Sequence, residues 1–135
     1  MTRAERIIQA LRELIPPLDC ARCGGCCGPG IPWTGWELDQ LATEHQRAVV
    51  QAHTEAQYCP LLTAENRCSV YDDRPLLCRL MGTVPGMACR EGHTPEGGFL
   101  PWPVERRIMR RYMGLIETDL LLGRALEPGR PRLRL

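Results

Sequence analysis

At 135 residues with a formal net charge of +1, the chain fits one domain with a modest core, and it has no global attraction to nucleic acid or anionic membrane. Its 13 glycines and 12 prolines predict a loop-rich domain, and its 8 cysteines predict cross-linking by disulfides or by metal. All 17 basic residues are arginine, which excludes Schiff-base and lysine general-base chemistry.

The N-terminal stretch carries Arg3, Glu5, Arg6, Arg12 and Glu13 among its apolar residues, unlike a signal peptide. No stretch approaches the roughly 18 uninterrupted apolar residues of a membrane-spanning helix. A soluble, reducing, cytoplasmic setting with no membrane contact is therefore expected, and there metal is favoured over disulfide.

Ile7, Ile8, Leu11, Leu14 and Ile15 recur at helical spacing and predict an amphipathic helix over 3–15, stopped by Pro16 and Pro17. Next come Cys20, Cys23, Cys26 and Cys27, four thiols in eight residues around Gly24 and Gly25, then the Gly/Pro-rich stretch 28–32. This segment is expected to be irregular and held by its ligands.

Thr34 and Glu37 match a capping box, and Leu38, Leu41, Ala42 and Val49 predict a second helix from about 35 to 55. Trp33 and Trp36 are placed to shield a metal site from water. Residues 59–62 and 68–71 flank a polar turn and read as a short hairpin or paired extended segments. Asp72 and Asp73 can cap a short helix with Arg74 and Pro75 in its first turn and Leu76, Leu77, Cys78, Leu80 and Met81 along it.

Residues 82–103 hold five glycines and four prolines and predict a long loop tied down by Cys89. Pro103 starts a last helix over 104–122, with Ile108, Met109, Tyr112, Leu115, Ile116, Leu120 and Leu121 on one face and Gly123 as a cap. The fold expected is mainly α: a small irregular, metal-stabilised domain over 1–123, its terminal helices clasping a cysteine-rich loop core with at most a short hairpin. Residues 124–135 form an Arg-rich C-terminal tail.

Crowded thiolates repel one another, so such density is favourable only around a shared cation or disulfide. Cys20, Cys23 and Cys26 repeat every third residue, and the distant Cys59 is followed by Pro60, the ligand spacing of a cubane iron-sulfur cluster. Zinc remains the alternative, since eight thiols make two all-cysteine tetrahedral sites. Only the first half has C-x2-C pairs, and that tips the reading towards iron-sulfur, of the 4Fe-4S type. Arg74 and Arg79 flank Cys78 and are candidate cofactor-binding residues, as donors to cluster sulfur; their plainer role is pairing with Asp72, Asp73 or helix-end carbonyls.

His45 and His53 lie two helical turns apart, too far for one metal ion, and His93 sits in the Gly/Pro-rich loop. Arg106, Arg107, Arg110 and Arg111 form a basic face on the last helix, extended by Arg124, Arg130, Arg132 and Arg134, with Trp102 the nearest stacking aromatic. Nucleic acid is thus a weak partner candidate beside an unknown protein partner. The chain has no G-x-S-x-G, phosphate-binding loop or dinucleotide fingerprint, and position 30 is Gly30 where radical-SAM spacing after Cys23 and Cys27 needs a cysteine.

Cys20-x2-Cys23-x2-Cys26-Cys27, then Cys59-Pro60-Leu61-Leu62, Cys68 to Tyr71, and Arg74 to Arg79 around Cys78, resemble the CxxCxxCC cysteine-cluster family, the YkgJ-like zinc- or iron-chelating proteins. The resemblance runs from Cys20 to Arg79 and implies a metal-binding protein whose ligands include Cys20, Cys23, Cys26, Cys27, Cys59, Cys68 and Cys78. Cys89 follows as an eighth candidate beyond those blocks. Family members are labelled iron-sulfur oxidoreductases, and a related domain occurs in the flagellin lysine methylase. The expected role is electron transfer or metal and cluster handling for a partner. The alternative is a zinc-structured module that binds protein or RNA through its Arg-rich helix. No catalytic motif identifies an enzyme.

Overall fold

The computed structural model describes residues 1–18, 20, 31–52 and 59–123. Within them the chain is mainly helical, with five α-helices, two short 3-10 turns and no strand longer than an isolated bridge. The helices are α1 (Arg3–Leu14), α2 (Gly35–Asp39), α3 (Thr43–Ala52), α4 (Leu76–Leu80) and α5 (Trp102–Leu121).

α1 starts where Thr2 accepts a hydrogen bond from the Glu5 amide at 3.1 Å, and it ends at Ile15, ahead of the two prolines. The single helix expected over 35–55 is two. The capping box at Thr34 and Glu37 forms as read, but α2 closes after one turn, with the Leu41 amide on the Leu38 carbonyl and α3 restarting at Thr43. Gln46 secures the junction by donating from its side chain to the Leu41 carbonyl at 2.9 Å. Leu38 and Leu41 are both buried across the break.

The hairpin is reduced to one antiparallel bridge between Leu62 and Cys68, closed by a turn in which Asn66 adopts φ 60°. Asp72 and Asp73 do not cap α4. They lie in a 3-10 turn, Tyr71–Asp73, and Pro75 holds the N-cap position with no side-chain cap. α5 begins two residues earlier than expected, at Trp102 behind Pro101, and Gly123 ends it with φ 69° and its amide on Leu120.

Two apolar clusters result. The larger joins Leu11 of α1, Leu76 and Leu80 of α4, Val84 and Leu100 of the long loop, and Ile108, Tyr112, Ile116 and Leu120 of α5. The smaller gathers Trp33, Leu38, Leu41, Val49, Leu61 and Val70, with Cys59 and Cys68 packed against it. The loop after α4 is ordered because both ends are fastened: the Leu100 amide donates to Thr83 at 2.9 Å, and Val84 and Leu100 are buried.

Gly82 opens that loop with φ +85° and its amide on the Met87 carbonyl, and a β-carbon there would collide with Cδ2 of Leu18. Gly82→Ala is therefore expected to cost about 1–3 kcal/mol, from left-handed strain plus the clash, seen as an earlier urea midpoint with an unchanged slope. A variant with the wild-type midpoint would contradict this close approach.

Candidate metal centre

Five of the eight cysteines, Cys20, Cys59, Cys68, Cys78 and Cys89, fall among the described residues, and all five are half-buried. Cys23, Cys26 and Cys27 lie outside them, as do His53 and the Arg-rich tail. Among the described residues no three His, Cys, Asp or Glu side chains converge on one point, so the described part holds no complete ligand set.

Cys59 and Cys68 share one place. The bridge at Leu62 brings the two segments together, and both cysteines rest on the cluster built round Trp33. Burial pushes the Cys59 thiol above its ordinary range, and the nearby charge of Cys68 pushes it the same way, against amide hydrogen bonds from Leu61 and Leu62. Cys59 would not hold a bare negative charge readily. A shared cation reverses that, because it favours both thiolates at once.

Cys89 is brought towards the other end of the site. Gly82 lies between Leu18 and Cys89, its missing β-carbon 3.8 Å from Cβ of Cys89, so Cys89 packs close to the segment that leads into Cys20. Cys78 sits on α4, and its charge is felt at the Tyr112 hydroxyl on α5.

The element that ties these places together is a buried polar network that the sequence reading did not foresee. Glu37, only 1% exposed, completes the α2 capping box and also reaches beyond it. Its Oε1 accepts from the Thr34 amide at 3.1 Å, the Thr34 hydroxyl at 3.0 Å and the Tyr112 hydroxyl at 2.6 Å. Its Oε2 accepts from the Leu76 amide at 2.6 Å, the first residue of the helix that carries Cys78. The Tyr112 oxygen also lies 3.1 Å from the Pro32 carbonyl, at the exit of the cysteine loop. Asp119 adds a second tie from α5, accepting from the Gly35 amide at 2.9 Å.

Tyr112 has one proton and two acceptors. With Glu37 ionised the tyrosine donates to the carboxylate and leaves Pro32 without a donor. With Glu37 protonated, Oε1 donates to the tyrosine and the tyrosine donates to Pro32, so both contacts are satisfied. Burial raises the Glu37 pKa in the same direction and outweighs the four hydrogen bonds that lower it. Burial likewise lifts the Tyr112 pKa well above its ordinary value, with the charge of Glu37 adding to it.

Positive charge collects on the α4 side. The Arg74 guanidinium stacks 3.8 Å from the Tyr71 ring centroid and donates to the Tyr71 carbonyl at 2.8 Å. Arg79 donates to the carbonyls of Arg74 at 3.1 Å and Asp72 at 2.6 Å. Both arginines thus direct these hydrogen bonds at neutral carbonyls. Arg79 has its pKa lowered by burial first and then by the charges of Arg12 and Arg74. Arg12, in the last turn of α1, lies 5.5 Å from the Trp36 ring centroid, and its buried Nε has no hydrogen-bond partner among the described residues.

On the far face of α5, Arg106, Arg107, Arg110 and Arg111 are all exposed, and Trp102 is 65% exposed. His45 and His93 are half-buried and join no ligand group among the described residues. None of the helices is long and apolar enough to cross a membrane.

A family model, CxxCxxCC, described as "Putative zinc- or iron-chelating domain", matches residues 19–96. That span contains all eight cysteines, so Cys89 falls inside the family unit and not beyond it, while α1 and α5 flank it. No curated protein and no solved structure matches the chain.

Proposed function

The chain belongs to the CxxCxxCC family of metal-chelating domains, and on that premise we propose that its metal is iron, held in a 4Fe-4S cluster that serves electron transfer or delivery of metal or cluster to a partner protein. The ligands are drawn from Cys20, Cys23, Cys26, Cys27, Cys59, Cys68, Cys78 and Cys89. The observation that carries this reading is the place shared by Cys59 and Cys68: two thiols on an apolar wall, with burial and the charge of Cys68 opposing ionisation of Cys59, and Cys59 followed by Pro60 as in cubane ligand runs. Such a cluster supplies one-electron chemistry when bound.

The protein's own residues account for the rest. Trp33, Leu38 and Leu61 exclude water from the Cys59 and Cys68 side. Glu37 and Tyr112 fix the loop exit at Pro32 against the start of α4, which sets the direction from which Cys78 is presented. Arg74 and Arg79 offset the negative charge of a thiolate-bound centre and raise its reduction potential.

A second reading follows from the exposed arginines of α5. Arg106 and Arg110 stand in one row with Trp102, Arg107 and Arg111 in the next, each pair one turn apart. In this reading the metal is zinc, it replaces a core, and the basic face binds RNA or an acidic protein. Iron, acid-labile sulfide and zinc assayed on anaerobically purified protein separate the two: iron with sulfide supports the first, and stoichiometric zinc without sulfide gives the second.

A further inference from the structure

Arg12 lies on α1, outside the span matched by the family model, yet α1 packs against both α4, which carries Cys78, and α5. Its Nε is buried and lacks an acceptor among the described residues, a costly arrangement for a charged donor unless an acceptor is supplied. The Trp36 face accounts for the position of the guanidinium plane. It does not supply a lone pair for the N–H.

No ion pair to Arg12 is found among the described residues either. Arg74 and Arg79 bring two further guanidiniums to this side, both hydrogen-bonded to carbonyls, and among the described residues the carboxylates felt at Arg79 are Glu37, filled by four other donors, and Asp73. Three cations around one short helix are stable together when an anion lies among them. A thiolate-ligated centre at Cys78 is such an anion, and its sulfurs are hydrogen-bond acceptors.

We infer that Arg12 is the outer hydrogen-bond donor and neutralising cation of the metal centre beside Cys78, its Nε–H directed at a sulfur of that centre. The inference rests on the metal-centre reading above. Arg12 acts as a positioning residue, through the sulfur, and touches no metal ion. Trp36 holds the guanidinium in place, so a function assigned by the sequence to shielding becomes one of orientation.

The test is a pair of variants in the full chain, Arg12→Gln and Arg12→Lys, purified anaerobically and matched for iron and sulfide content and melting temperature. Arg12→Gln removes the charge and is expected to lower the midpoint potential by the equivalent of about tenfold in the reduced-to-oxidised ratio, about 59 mV for one electron. Arg12→Lys keeps the charge without the planar donor and should fall part of the way. Should Arg12→Gln not hold metal, Arg12→Lys is read by the rate at which a chelator strips the metal, expected to rise several-fold. Loaded protein whose variants keep the wild-type potential and release rate overturns this inference alone. Wild-type protein lacking any metal overturns the function proposed above, and this inference with it.

Discussion

Glu37→Ala is expected to lower the stability of the domain by about 3–5 kcal/mol, because it strands the amides of Thr34 and Leu76 and the hydroxyl of Thr34 in a buried space and leaves the Tyr112 hydroxyl only the Pro32 carbonyl. Each unsatisfied donor costs about 1–3 kcal/mol, and the relief of no longer burying a carboxyl offsets part of the sum. Thermal unfolding should shift down by more than about 10 °C in a chain of this length. Glu37→Gln should cost less, since an amide nitrogen can donate to Tyr112 while its oxygen accepts from Leu76, and only the Thr34 contacts are lost. Both variants melting within about 2 °C of the wild type would show that the network is decoration.

The same residue gives a pH signature. The folded pKa of Glu37 is raised above its ordinary value of 4.5, so the folded state binds this proton more tightly than the unfolded chain does. Its stabilising effect is complete below that ordinary value and is lost as pH rises through the raised one. Glu37→Gln cannot titrate and should lack this component of the stability profile.

Cys59→Ala is the second change expected to have a large effect. A half-buried free cysteine behaves as a small apolar residue, so without metal its truncation would cost roughly 1 kcal/mol or less. As a ligand it should remove most of the bound metal and with it the folding energy that ligation supplies, about 10 kcal/mol or more in small structural metal sites. The smaller cluster round Trp33 should loosen first, seen as a red shift in tryptophan emission. Because burial and Cys68 hold the Cys59 thiol protonated to higher pH, metal affinity in the wild type should rise with pH as protons are displaced. Undiminished metal content in Cys59→Ala would remove it from the ligand set.

Helix positions were largely legible in the sequence, because capping and periodicity are local. The Thr34 and Glu37 box, Pro103 in the first turn of α5 and Gly123 after it are each decided within four residues. The split between α2 and α3 was not legible. Nothing near Gln40 forbids a continuous helix, and Leu38, Leu41 and Val49 share one face whether or not the helix is broken, so their spacing carries no sign of the break. Asp72 and Asp73 misled for a related reason: their side chains suit a cap, but Arg74 and Pro75 extend the chain before α4 can start.

At the site, cysteine spacing pointed to metal binding, as does the family match over a span that includes Cys89. The network behind it was hidden because its partners are 39 and 75 residues from Glu37 along the chain. Glu37 read as a cap and Tyr112 as one more apolar position on a long helix. Arg12 was hidden in the same way, as an ordinary polar residue of an amphipathic helix, until its buried Nε was seen to lack an acceptor.

The central claim is that these cysteines bind iron as an iron-sulfur cluster. It is tested most directly by assaying iron, zinc and acid-labile sulfide on freshly, anaerobically purified protein together with its visible spectrum. Brown protein is expected, with iron and sulfide in about equal amounts and sulfur-to-iron absorption that bleaches on reduction. Colourless protein with stoichiometric zinc and no labile sulfide would contradict it.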